Sequence, residues 1–481
     1  MACKFCQGQQ YALNNSGTLF DSFENPVQST TIKDESRKYA SSFLFPSISN
    51  NVYFNGDGNT AFKTLLFNQL TSENGLVNLG DVKSNNLYTS SNNYLLMFKM
   101  LKSIKYQREL GFALQLRNEI NLNASNEAFA ILDNFSVFPK DNYTDVFNGN
   151  FFNQTYSQLS VSYRENYDKE WAWGGKLSVL NGISYVTTNI NSSALVINRL
   201  NKVLTQTLVG NGYSSFGTGV PTASLFVPNF RNPGVSVNFG MSYTSPQGLY
   251  LSGNVKDLGF ISWNKNGSKF EFDNSDTYKV YKANDENLGE RIYDKFSIML
   301  AENQTQSGFT SKTNANVQFL ASKTFDFYKP NLIVAKNVFQ KDGAIALLNN
   351  FNHNIWNFAL NGIYDFRQGF NVGSQFMIKS PNVEFYAGSE KLLPSLRFAN
   401  GYLNSDPNIG SNPTNADFYM GFSLKFGKLM QNFSNADVIP GITDGDQGKG
   451  VKNLNAIGLF SFLKKKDKSQ KPVDKRRDKK N

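Results

Sequence analysis

A cysteine pair, a single histidine and a set of charges on alternating strands are the residues here whose types and spacing invite chemistry. Cys3 and Cys6 form a C-x-x-C pair, the spacing of half a zinc knuckle or of a dithiol redox couple. Neither chemistry is completed. No second cysteine pair or nearby histidine adds ligands, and no helix-forming sequence follows to lower a thiol pKa. His353 stands between Asn352 and Asn354 in a turn-forming stretch, a poor place for a general base. There is no G-x-S-x-G elbow and no Gly-Lys phosphate loop after a strand. Thr443-Asp444-Gly445-Asp446 begins like a calcium loop but lacks the following ligands and the closing Glu. These patterns point to no enzyme, no metal and no cofactor.

The charges on strands remain. Alternation places Arg117, Arg164, Lys176, Lys256, Lys379 and Lys425 on polar faces, with Asp365 against them. If those faces line a lumen, its basic bias favours anions. The competing reading is that these side chains pair with inward acids or loop carboxylates and simply hold an interior together.

The elements that carry these residues show a period of two. Val235, Val237, Phe239, Met241 and Tyr243 share one face, with Ser236, Asn238, Gly240, Ser242 and Thr244 on the other. After the turn Ser245-Pro246-Gln247-Gly248, Leu249, Leu251, Gly253 and Val255 alternate with Tyr250, Ser252, Asn254 and Lys256. One apolar face at this period marks a strand half-buried against something apolar. The pattern recurs at 111–117, 158–164, 356–365, 370–379 and 418–426. Phe239, Met241, Leu251, Phe358, Phe376 and Phe422 are expected to face lipid. Asn238, Ser242, Asn254, Asn361, Gln375 and Ser423 are expected to face the interior. Asp257 falls on the lipid side if the alternation simply continues, so the strand should bulge or leave the hydrocarbon near residues 256–257. Trp171, Trp173, Trp263 and Trp356 suit the aromatic girdles of a membrane barrel.

Composition agrees. Only 18% of the 481 residues are charged and 14% are aromatic, with 42 Phe and 22 Tyr, against roughly 25% charged in an average soluble domain. No apolar run approaches the length of a membrane helix, but a barrel strand needs only about ten alternating residues. A large soluble sandwich is the rival architecture. Short turns between neighbouring strands favour up-and-down closure, which removes the exposed edges. The fold read here is all-β: a transmembrane antiparallel up-and-down β-barrel of about 14 strands, with a short N-terminal cap or plug and a flexible C-terminal tail.

Five stretches follow. Residues 1–9 read as the residue of a signal region, because export requires a signal peptide and Met1 leads quickly into polar sequence. Residues 10–89 form the cap or plug with the first strands, Ala61 to Leu70 having a spacing that suits a short helix or equally a strand. Residues 90–427 are the main barrel, with long extracellular loops at Asn121–Asn153, Asn189–Asn232 and Trp263–Tyr293. Residues 428–463 form a periplasmic extension. Residues 464–481, with ten Lys/Arg and three Asp, form a disordered basic tail.

Some of these residues carry a resemblance. The stretch from Met241 to Trp263 contains Lys256-Asp257-Leu258-Gly259-Phe260-Ile261 followed by Trp263, similar to the repeated D-L-G-F-I-x-W element of an uncharacterised Bacteroidota outer-membrane barrel family of unknown function. Asn25-Pro26 and the hairpins Tyr94–Leu116 and Gln158–Val186 resemble it too, so that about 10–427 is covered. The resemblance implies an outer-membrane barrel akin to those accompanying type IX secretion and gliding motility, and implies no site residues. The function expected is a non-enzymatic scaffold or accessory subunit of an envelope assembly, secretion or motility complex. The alternative is an outer-membrane channel or transporter for small anionic or apolar solutes. The expected partners are outer-membrane lipid and periplasmic or outer-membrane proteins, and no nucleic acid.

Overall fold

The alternating segments pair in sequence order and the sheet closes on itself. A computed structural model of the chain describes residues 11–30, 37–67, 83–103, 106–128, 138–215, 230–279, 294, 295, 298 and 303–428, less 341, 407 and 410–412. The residual signal region, the periplasmic extension beyond Lys428 and the basic tail lie outside the described residues.

The first half contains β1 (Arg37–Ser41), β2 (Ile48–Asn55), β3 (Ser84–Ser103), β4 (Arg108–Ser125), β5 (Asn142–Thr144), β6 (Gly149–Asn166), β7 (Trp171–Asn198), β8 (Val203–Ser214), β9 (Pro233–Thr244) and β10 (Leu249–Trp263). The second contains β11 (Ser268–Lys279), β12 (Gln304–Gln306), β13 (Phe309–Lys312), β14 (Asn316–Lys323), β15 (Tyr328–Asn337), β16 (Gly343–His353), β17 (Trp356–Asp365), β18 (Gly369–Lys379), β19 (Val383–Ser389) and β20 (Thr414–Lys428). All belong to one antiparallel sheet. β1 and β2 share a single position between β20 and β3, which closes a barrel of about 14 strands. Helix α1 (Leu19–Glu24) lies inside it. Helices α2 (Asn59–Leu66) and α3 (Leu392–Leu403) lie at one end.

The two faces differ as lipid and lumen require. Phe239, Met241, Leu251, Phe358 and Phe376 are exposed and Phe422 is half-buried, whereas Asn238, Ser242, Asn254, Asn361, Gln375 and Ser423 are buried. The closed sheet pairs its wall strands with one another and carries an apolar exterior, the arrangement that crosses hydrocarbon with strands. No described helix is long and apolar enough to cross a membrane. The molecule is an outer-membrane β-barrel. Its short turns, at 167–170, 245–248, 324–327, 354–355 and 380–382, share one end with the start of β1 and the end of β20. That end is periplasmic by the usual asymmetry of such barrels.

Two expectations need correction. Trp263 is not in a girdle but faces inward. The register shifts between Val255 and Leu258 and Asp257 adopts φ +50°, so the bulge inverts the alternation beyond it. Leu258 and Phe260 then face out, while Ile261 and Trp263 are buried. Trp263 packs against Tyr185 and Phe309, and its Nε1 donates to Ser311 Oγ at 2.9 Å. The second correction concerns the loops. Much of 189–214 and 268–279 is strand: the upper part of β7 pairs with β8, and β8 pairs with β11. This extension buries Phe138, Leu195, Leu204, Phe270 and Phe272 together. Its other face carries Thr205, Thr207, Ser275 and Thr277, which hydrogen-bond across the strands, a polar surface that reads as loop in the sequence.

Candidate functional site in the barrel lumen

Residues 11–30 occupy the lumen and are buried except for half-buried Ser16. The local sequence builds a tight insert. A 3-10 turn at Tyr11–Leu13 is followed by α1, whose N-cap Thr18 Oγ1 accepts from Asp21 N, while Asp21 Oδ2 accepts from Gly17 N at 3.1 Å. Leu13, Leu19, Phe20 and Phe23 pack with Ala40, Tyr94, Met97, Met377, Tyr386 and Tyr419 of the wall. Where the insert presses hardest the wall has glycine: a Cβ on Gly174 would lie 2.0 Å from the carbonyl oxygen of Pro26.

The charges singled out in the sequence clasp this plug. Lys379 donates to the carbonyls of Ser16, at 2.9 Å, and Gly17. Lys425 donates to Thr30 O at 2.7 Å and pairs with Glu384 at 2.8 Å. Arg164 Nε donates to Val27 O at 2.7 Å. Lys256 pairs with Glu24. Arg117 reaches Glu24 at 3.4 Å and Asp257 at 2.7 Å, and Lys176 lies 3.7 Å from Asp257. Asp365 takes no part. It sits at the far end of β17 and accepts from the turn N–H groups of Arg367 and Gln368.

Sequence reasoning missed the anionic half. Glu109 pairs with Lys99 at 3.3 Å and accepts from Ser29 and Thr30; Glu384 accepts from Leu19 N; Glu390 accepts from Ala12 N. Asp257 was legible only as an anomaly. The bulge that resolves it turns Lys256 and Asp257, adjacent in sequence, into the same interior. Glu24, Asp21 and Lys99 carried no signal, because their role depends on which segment fills the barrel.

Ionised groups buried this deeply are tolerated only when paired and hydrogen-bonded. Burial alone would push the Glu24 carboxyl up, but Lys256, Arg117 and Lys176 outweigh it and hold the group well below the usual carboxylate range. Asp21 is pushed by burial up to about 7, against the backbone N–H groups of Gly17 and Asn15 and the charges of Lys329 and Lys379. These acids and bases are engaged in holding the plug. Among the described residues no group of three or more His, Cys, Asp or Glu is placed to hold a metal ion. His353 ends β16 in an exposed turn beside Asn354.

Two spaces adjoin the plug. The outer one is lined by Phe20 and Glu24 of the plug and by Tyr88, Arg117, Tyr156 and Lys256 of the wall, and its free space of about 50 Å³ holds only a few waters. The periplasmic one, about 410 Å³, is lined by Val27, Gln28, Arg164, Trp171, Tyr250 and Lys329 among others.

No curated protein matches the chain. Among solved structures it is similar to the toluene transporter TbuX of Ralstonia pickettii (8% identity, TM-score 0.42, covering 84% of this chain and 93% of that one). It is also similar to a FadL homologue of Pseudomonas aeruginosa (9%, 0.41, 88% and 99%) and to the translocator domain of the autotransporter NalP of Neisseria meningitidis (7%, 0.32, 87% and 100%). Likenesses this distant carry no argument about what the protein does. The sequence family is a different matter: residues 33–390 match the family of unknown function DUF5723, and the chain belongs to it.

Proposed function

We propose that this barrel is a plugged outer-membrane transporter for small solutes, closed at rest. The observation that carries the reading is that two spaces approach the same short stretch of plug from opposite ends. Glu24 floors the outer one, and Val27 and Gln28 bound the periplasmic one. Glu24 and Val27, one against each space, are three residues apart in the plug. A scaffold role calls for no such arrangement. The plug contacts are polar at its backbone, and displaced groups of that kind rehydrate in a water-filled lumen. The lumen cations already have partners, which gives a standing anion site no support.

The test is flux through the intact protein in planar bilayers and in liposomes, beside a Gly174→Ala variant that pushes the plug off its seat at Pro26. Intact protein is expected to pass glucose or small ions at a low rate, and the variant several-fold faster. No flux through either, with the fold intact, defeats the reading.

A further inference from the structure

The geometry points to a second route out of the lumen, a lateral portal through the wall between β20 and the β1–β2 strand, for apolar small molecules. It rests on the transport reading above and adds an exit into lipid.

The wall is interrupted there. Ser41 pairs with Leu424 and Ile48 with Met420, so residues 42 to 47 stand opposite only Gly421, Phe422 and Ser423. Those three residues have no ladder partner on this side. On the β3 side the interruption is stitched by Ser42 N to Met97 O and by the Ser47–Tyr94 bridge, with a bulge in β3 between Tyr94 and Leu96. The gap therefore opens toward β20. Its height is that of the lipid band, flanked by Phe98 on β3 and by Phe418, Phe422 and Phe426 on β20. Irregular backbone exposed to hydrocarbon is costly and is normally absent from membrane-spanning walls. Here it bears Phe43, Leu44 and Phe45, exposed by 57%, 53% and 61%. Phe45 packs edge-on against Phe422 at 5.7 Å, so the excursion lies as an apolar flap over the break.

Behind the flap the path is short and aromatic. Tyr386 donates its hydroxyl to Ser47 Oγ at 3.0 Å. The hydroxyl occupies space that a Cβ on Gly421 would fill, 2.2 Å away. Tyr386 and Tyr94 each contact Phe20, at 6.1 and 5.4 Å between ring centres. Phe20 also forms part of the floor of the outer space. Two layers of rings thus stand between that space and the lipid, while the charged clasp lies on the axial route. A solute leaving past Phe20 and Tyr386 meets the ion pairs only where Glu24, Arg117 and Lys256 line the outer space, and does not cross plug residues 24–28.

Removing Leu44–Pro46 leaves three residues opposite Gly421–Ser423 and restores a continuous ladder. The full chain and this deletion variant are to be reconstituted in vesicles with a lipopolysaccharide outer leaflet. The apolar dye N-phenyl-1-naphthylamine is followed as it reaches the bilayer, and glucose flux is measured in parallel. The intact protein is expected to speed dye arrival over protein-free vesicles. The deletion is expected to cut that gain at least tenfold while glucose flux stays within twofold. Tyr386→Ala, which clears the path, is expected to raise dye arrival several-fold, and it decides the matter if the deletion variant fails to fold. Glucose flux with no dye effect, or dye arrival indifferent to the deletion or to Tyr386→Ala, overturns the portal and leaves the transport reading standing. Absence of both fluxes overturns both.

Discussion

Raising the pH from 5 to 7 should loosen the plug, and Asp21 is the reason. Its carboxyl is buried in α1, and burial pushes it up to about 7 against an ordinary 3.8. Undocked in water it returns to the ordinary value, so between those limits the docked plug binds a proton that the undocked plug has released. The sign follows: docking is strongest below the undocked pKa and weakens as pH rises toward the docked one. Each unit is worth about 1.4 kcal/mol, and since the docked carboxyl is half-ionised by pH 7 the loss from pH 5 to 7 is roughly 2 kcal/mol, about fiftyfold in the opening equilibrium. Glu24 works in the opposite sense, since its docked form stays ionised far below the usual range, but its window lies below about pH 4.5 and is spent before pH 5. Hydrogen exchange of amides 11–30, corrected for intrinsic rates, reads the opening directly. Protection should fall by one to two decades across this interval in the intact chain and much less in Asp21→Asn. Protection that is flat or rising in the intact chain, or an equal slope in both proteins, refutes the reasoning.

Gly174→Ala should make residues 24–28 accessible to protease from the periplasmic side, because the added methyl displaces Pro26; unchanged digestion would show that the wall yields instead. Asp257→Asn leaves buried Arg117 and Lys176 without their shared anion and should lower barrel stability by about 3–5 kcal/mol, read as the urea midpoint of heat-modifiable mobility. Trp263→Ala should cost about 3–5 kcal/mol in the same assay, the price of an interior residue, where a girdle residue would cost far less. Spin labels at Phe239 and Phe358 should be quenched by oxygen, and labels at Asn238 and Asn361 should not, since they point to opposite faces.

The sequence by itself determined the wall. A two-residue period with one apolar face is a local property, so β9, β10, β17 and β18 were legible residue by residue, as were low charge, short turns and a barrel of about 14 strands. The Lys256–Asp257 conflict even located a bulge, because a charge out of phase with lipid has to be accommodated somewhere. Only the tertiary structure decided what that bulge does. By inverting the alternation it carried Trp263 inward and set Asp257 between Arg117 and Lys176. A cap or plug within 10–89 was expected from the sequence, but how it is held was beyond local reading. Residues 11–30 are held by side chains hundreds of positions away, Lys379 on Ser16 and Gly17, Glu384 on Leu19, Lys425 on Thr30. No periodicity encodes such contacts, since they depend on which segment closure traps inside. The break at 42–47 follows the same logic. Ser-Phe-Leu-Phe-Pro-Ser is apolar enough to pass for wall, and only the register of β20 shows that three residues face six.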